Sequence, residues 1–276
     1  MSDLKKMSDL KKINNFKKVD VRNAVRNSYR KIAIGNAKED GCCGGSINLK
    51  KSSIEISRKI GYSDEEISTV PEEANMGLGC GNPQLIANIK EGETVIDLGS
   101  GGGFDCFLAS KKVGTKGYII GVDMTPEMIN KSRVMSKKYG YRNVDFRLGE
   151  IENLPVADNT ADVIISNCVI NLSPNKQRVY NEAYRVLKKG GRIAISDIVL
   201  IRELTKEMKQ DDKLYCGWVT GASSVEELKV YLEKAGFSDI KIETKEVSKE
   251  YAEKWGHNLK VGEYIMSASI KAIKSK

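Results

Sequence analysis

The chain changes pattern near residue 90. Beyond it, short apolar runs of strand length alternate with longer stretches of helical period, separated by Gly-rich or polar turns. The pattern predicts strands at 94–98, 118–122, 144–148, 161–166 and 191–197. Helices are predicted at 104–112, about 126–139, about 175–186 and 224–236, the second with Pro126 at its first position. Two closing strands are expected at 240–245 and 264–273. Alternation this regular implies right-handed βαβ crossovers and an α/β fold whose parallel sheet is covered on both faces.

Upstream the signal is weaker. Val25, Tyr29, Ile32 and Ala33 share one face of a helix over about 15–37, and Gly41-Cys-Cys-Gly-Gly45 reads as a loop. Residues 46–80 read as loop-rich, with Pro71 breaking any long helix. Four parts follow: a basic disordered leader at 1–14 and an N-terminal helix with cysteine-bearing loops at 15–89. A ligand-binding core at 90–200 and a C-terminal segment at 201–276 complete the chain.

Composition changes this picture in three ways. The chain has 276 residues, 40% hydrophobic and 30% charged, enough for a packed core without disulfides. It shows no apolar run of membrane-spanning length and no signal peptide, so a cytoplasmic protein that does not enter membranes is expected. Of the formal charge of +8, residues 1–31 hold +7, from ten basic and three acidic residues. The expected core is therefore close to neutral, which argues against a nucleic-acid partner, and the basic leader reads as solvated. MSDLKK at 1–6 recurs at 7–12 and says nothing about the fold. With a single histidine, His257, most imidazole chemistry is excluded, whereas six cysteines leave thiol chemistry open.

The chemistry concentrates at predicted strand ends. Val95-Ile-Asp-Leu-Gly-Ser-Gly-Gly-Gly-Phe-Asp105 sets Gly99, Gly101, Gly102 and Gly103 between the first strand and its helix, the context of a nucleotide-type ligand. Asp123 ends the second strand, where a carboxylate can accept both hydroxyls of a ribose. Asp97 ahead of the first glycine, and Gly149-Glu-Ile-Glu-Asn-Leu-Pro155 after the third strand, favour a methyl donor over a dinucleotide.

From about residue 25 onward the sequence resembles the bacterial and archaeal arsenite methyltransferases. The resemblance rests on Leu78-Gly-Cys-Gly-Asn-Pro83, the 97–106 glycine loop, Gly121-Val-Asp-Met-Thr-Pro-Glu-Met128, Ser166-Asn-Cys-Val-Ile-Asn-Leu172 and Arg185-Val-Leu-Lys-Lys-Gly-Gly191. The fourth stretch, with the Gly-Cys-Cys-Gly loop, is the most specific to the arsenic branch. The resemblance implies a Rossmann-like class I methyltransferase sheet with an N-terminal helical extension and a C-terminal α+β appendage. It also implies S-adenosylmethionine contacts at Asp97, Gly99, Asp123, Met124, Glu150, Ile151 and Asn167, and at Tyr29 from the leading helix.

Trivalent arsenic is soft and bonds to as many as three thiolates. Held so, with its lone pair toward the donor methyl, it needs position more than acid–base help. Cys168, at the fourth strand's end, and Cys80, which matches the family's N-terminal acceptor cysteine, are the leading ligands; Cys42 and Cys43 are suited to capture arsenic and hand it inward. Cys106, on the helix after the glycine loop, reads as packing, and His257 as a surface residue. Asp197 at the fifth strand's end either lines the acceptor pocket or caps its loop. Where the family carries its last cysteine, this chain has Trp218, with Cys216 two residues upstream, so the third thiol is either relocated to Cys216 or lost. The leading expectation is an enzyme that methylates As(III), with thioredoxin or glutathione as reductant. The alternatives are methylation of another small acceptor, such as a quinone, sterol or other metalloid, and arsenic binding without turnover.

Overall fold

A computed structural model describes residues 21–35, 49–211, 214, 218–247 and 260–275. Its helices are α1 at 21–33, α2 Leu49–Lys59, α3 Asp64–Ser68, α4 Pro83–Ala87, α5 Phe104–Val113, α6 Pro126–Lys138, α7 Lys176–Val186, α8 Lys206–Gln210 and α9 Val225–Ala235. Its strands are β1 Thr94–Leu98, β2 Tyr118–Asp123, β3 Val144–Leu148, β4 Ala161–Asn167, β5 Leu187–Leu200, β6 Ser223–Ser224, β7 Phe237–Lys245 and β8 Ile265–Lys274. No described helix is long and apolar enough to cross a membrane.

The strands form one sheet of order β3-β2-β1-β4-β5-β8-β7, with β6 pairing β5 off this path. The first five pair in parallel, whereas β8 is antiparallel to both β5 and β7. The sheet is thus mixed, where sequence alone predicts a parallel one. Apolar runs in the middle strands bury side chains on both faces. Ile96, Leu98 and Ile164 pack under Tyr180 of α7 and Leu232 of α9. Val95, Val163 and Ile165 pack against Phe107 of α5 and Met135 of α6. Ser224 and Glu227 form a reciprocal capping box at α9, satisfying donors the helix would otherwise leave open.

Three segments differ from their sequence reading. β5 begins at Leu187, directly after α7, because a bulge between the Ala161 and Val163 pairings admits the Lys188–Gly191 stretch into the strand. Residues 49–59 are helical rather than loop. Ser53 and Ser57 of α2 are buried, and Ser57 Oγ donates to Asn75 Oδ1 at 2.9 Å, so part of its packed face is polar and carries no hydrophobic period. Third, part of the basic N-terminal stretch is docked. Val25 of α1 is fully buried, while Arg22 pairs with Glu150 and Glu152, Arg26 with Glu150 and Arg30 with Glu127.

Candidate active site

β1, β2, β4 and β5 end at the sheet edge where α/β folds bind ligands. Gly99 leaves β1 with φ +71°, and a Cβ there would overlap the Val169 side chain, so only glycine lets the two turns meet. The loop opens a cleft bordered by Asp97, Asp105, Asp123, Ile151, Cys168 and Trp218 among others.

Carboxylates set the electrostatics of this cleft. Burial lifts Asp97 well above the usual carboxylate range, and the charges of Asp105 and Asp123 lift it further. Burial also raises Asp105 to about 6, against the lowering effect of hydrogen bonds from Tyr62, Gln84 and Asn167. Asp123 is raised by burial although it accepts from Thr125 N at 2.8 Å and Gly101 N at 3.0 Å. The repulsion that Asp105 and Asp123 exert on Asp97 would be offset by a ligand carrying positive charge. Cys106, fully buried on α5, donates its thiol to Asp97 Oδ2 at 3.3 Å. Its thiol pKa is pushed up by burial and by Asp97, so it packs and bonds as a neutral group.

Asn167 joins this cleft to the cysteines. Its Oδ1 accepts from Cys80 N at 3.0 Å, and its Nδ2 donates to Gly81 O at 2.7 Å and Tyr62 Oη at 3.1 Å. Tyr62 in turn donates to Asp105, 2.9 Å from Oδ1. A Cβ on Gly79, where φ is +119°, would lie 2.7 Å from the Asn167 amide. The 77–82 loop is thereby laid against the end of β4, and Cys80 and Cys168 meet as a disulfide with Cα atoms 5.9 Å apart. Sequence alone did not predict a structural disulfide here. Cys168 is fully buried, has φ +54° and borders the cleft.

Other expected site residues take varied places. Tyr29, Met124 and Ile151 border the cleft. Glu150 does not border it: its carboxylate turns to Arg22 and Arg26, and Glu152 stands at the wall, accepting from Ser173 Oγ at 2.6 Å. Asp197 does not border the cleft, and its carboxylate lies within 4.8 Å of both Cys80 and Cys168 sulfurs. Burial raises its pKa to about 7 despite N–H donors from Ile198 and Asn171. Trp218 is 3% exposed, at φ +68°, and borders the cleft in one apolar cluster with Cys80 and Cys168. Cys42, Cys43, Cys216 and His257 lie outside the described residues. Tyr62, Gln84 and Asp105 carry no motif of their own, so sequence reasoning passed over them. The single cue was that Asp105 closes the glycine-loop stretch.

Residues 89–236 match a methyltransferase domain family. The chain is 45% identical over 264 residues to the arsenite methyltransferase of Halobacterium salinarum, covering 92% of this chain and 67% of that protein. To the human arsenite methyltransferase it is 38% identical over 65% of this chain and 50% of the relative. Among solved structures it is similar to an arsenic(III) S-adenosylmethionine methyltransferase from Chlamydomonas reinhardtii. That match has a TM-score of 0.61 and 34% identity, over 84% of this chain and 75% of the other. The chain thus spans two thirds to one half of the curated relatives' length.

Proposed function

The chain belongs to the arsenite methyltransferase family, whose methyl donor is S-adenosylmethionine, and from that premise we propose that it transfers the donor's methyl to As(III) held by Cys80 and Cys168. The observation that carries this reading is the meeting of two otherwise distant thiols, one of which, Cys168, borders a cleft lined with acids.

When bound, S-adenosylmethionine supplies an electrophilic methyl on a positively charged sulfur. The rest of the chemistry falls to the chain's own residues. Asp97 and Asp105 offset the cationic charge of the donor's methionine end, and Asp123 is set to take ribose hydroxyls. Gly99 and Gly101 let the backbone approach closely, and Met124, Ile151 and Tyr29 wall the cleft against water. Glu152, at the wall, is better placed for the adenine side than Glu150. Reduced Cys80 and Cys168 displace two hydroxyls of arsenite as water and fix the metalloid, while Asn167 holds the Cys80 loop. Fixing the nucleophile in this way contributes through orientation.

Each transfer oxidises arsenic by two electrons, so two electrons and two protons must be returned before the next. Closure of the Cys80–Cys168 pair to a disulfide can supply them, and thioredoxin or glutathione in the cytoplasm would reopen it. In a single-turnover assay with S-adenosylmethionine and reductant, wild type should form methylated arsenic from arsenite. Cys168→Ser and Cys80→Ser should form none. Trp218, which fills the slot of a family thiol, supports a second reading: methylation of a different small acceptor. That reading predicts turnover surviving both serine variants.

A further inference from the structure

Among the described residues, the group completing a three-sided site with Cys80 and Cys168 is a carboxylate. Asp197 sits near the end of β5, one residue beyond Ser196, whose carbonyl accepts from Cys168 N at 2.8 Å. The backbone thus ties the thiol's strand end directly to the carboxylate's. Asp197 is 3% exposed, and its orientation is fixed on one side. Oδ1 accepts from Ile198 N and from Asn171 Nδ2, both at 2.8 Å, while Oδ2 accepts from Asn171 N at a longer 3.3 Å. Asn171 is itself buried and anchored by donating to Ile198 O at 2.6 Å. These donors satisfy the buried carboxylate, and the long Asn171 N contact leaves Oδ2 able to accept a further hydrogen bond. Here it lies within 4.8 Å of both sulfurs, and Trp218, packed in the same apolar cluster as the two cysteines, offers the metalloid no thiol.

Resting on the arsenite reading above, we infer that Asp197 is a catalytic residue that takes the third side of the bound metalloid. The site accepts arsenic(III) as a bis-thiolate hydroxo species, with the As–OH hydrogen-bonded to the carboxylate. Binding is balanced without redox change: arsenous acid and two thiols give two As–S bonds and two waters, and the third hydroxyl stays on arsenic. Of the three groups, Cys168 borders the cleft whereas Cys80 and Asp197 do not. The hydroxyl is therefore held away from the cleft, and the lone pair of the pyramidal arsenic faces it. A carboxylate suits this role because it accepts strongly from a hydroxyl and does not compete with the thiolates for a soft centre. The consequence is a preference. Inorganic arsenite has the third hydroxyl to offer, whereas an organoarsenical with carbon in that position does not.

The test uses the full chain, reduced with a non-thiol reductant so that the reductant does not itself bind arsenic. X-ray absorption at the arsenic edge of the one-to-one arsenite complex should show two sulfurs and one oxygen. Three sulfurs would overturn the inference, because a thiol from elsewhere would then occupy the third side. Binding is also measured for arsenite and for phenylarsonous acid, which forms two thiolate bonds but has no third hydroxyl. Asp197→Asn and Asp197→Ala should weaken arsenite about tenfold or more, as for loss of a charge-assisted hydrogen bond, and leave phenylarsonous acid within about threefold. Equal weakening of both arsenicals, or of neither, would overturn the role of Asp197 while leaving the arsenite reading intact. Wild type that binds neither arsenical would overturn the arsenite reading and this inference with it. The absorption measurement needs no variant, so it decides the matter even where a substitution prevents folding.

Discussion

Asn167→Ala isolates the joint between the cofactor cleft and the acceptor cysteines. The truncation removes bonds at 3.0 Å from Cys80 N, 2.7 Å to Gly81 O and 3.1 Å to Tyr62 Oη. Each is worth about 0.5–1.5 kcal/mol net, and Cys80 N–H is left in a place where little water reaches it, so the sum is roughly 2–4 kcal/mol. For a chain of this size that corresponds to a melting temperature lower by about 4–16 °C. The local effect should exceed the global one. With Cys80 no longer held beside Cys168, affinity for phenylarsonous acid, which needs both thiols at once, should fall at least about tenfold. Asn167→Asp sharpens the test. It keeps an oxygen for Cys80 N, but it also sets a new carboxylate oxygen against Gly81 O and the carboxylate-bonded Tyr62. It should therefore be more destabilising than alanine at pH 8 and partly relieved at pH 5. Differential scanning calorimetry and arsenical titration read both effects. A melting temperature within 2 °C of wild type, with unchanged arsenical affinity, would refute the claim that Asn167 organises the site.

Other perturbations give equally definite outcomes. Gly79→Ala puts a methyl 2.7 Å from the Asn167 amide at φ +119°, so a loss of about 1–3 kcal/mol is expected in chemical denaturation. The double variant Arg22→Ala, Arg26→Ala breaks partly exposed pairs worth about 0–1 kcal/mol each; melting should barely move, while calorimetric affinity for S-adenosylhomocysteine drops severalfold because α1 brings Tyr29 to the cleft. Asp105, raised to about 6 by burial, binds a proton more tightly folded than unfolded. Its stabilisation is full below the unfolded carboxylate value near 4 and is lost as pH rises through about 6. Ligand-free protein should accordingly melt higher at pH 5 than at pH 8, with the difference reduced in Asp105→Asn; a wild-type melting temperature that rises across this interval would contradict the assignment.

Legibility in the sequence followed the physics of each segment. β1 and β3 sit where apolar runs and turn residues placed them, and α6 and α7 differ by one residue at an end. These segments are buried on the sheet or against it, so periodicity reports them directly. α2 was missed because buried serines carry part of its packing. The antiparallel insertion of β8 was invisible because a strand's hydrophobic pattern does not name its neighbour. Asp97, Asp123 and Cys168 border the cleft, a placement legible from their positions at strand ends. Glu150 and Glu152 share one turn and both pair with Arg22, and it is Glu152, bonded by Ser173, that borders the cleft. Asp105 and Tyr62 meet across 43 residues of sequence, a pairing no local motif records.

The place of β8 governs the order in which the molecule can be completed during synthesis. It is the last of the described strands, yet it lies between β5 and β7 and pairs with both. A nascent chain emerging N-terminus first can assemble β1 to β5 with their helices, but the edge of β5 stays open until residues near 274 clear the ribosome. Through that interval β5 presents unpaired backbone groups beside apolar Ile193, Ile195 and Val199, a template for pairing with a neighbouring chain. Chains truncated ahead of β8 should therefore aggregate more readily than chains that include it, a difference that sedimentation of the two would show.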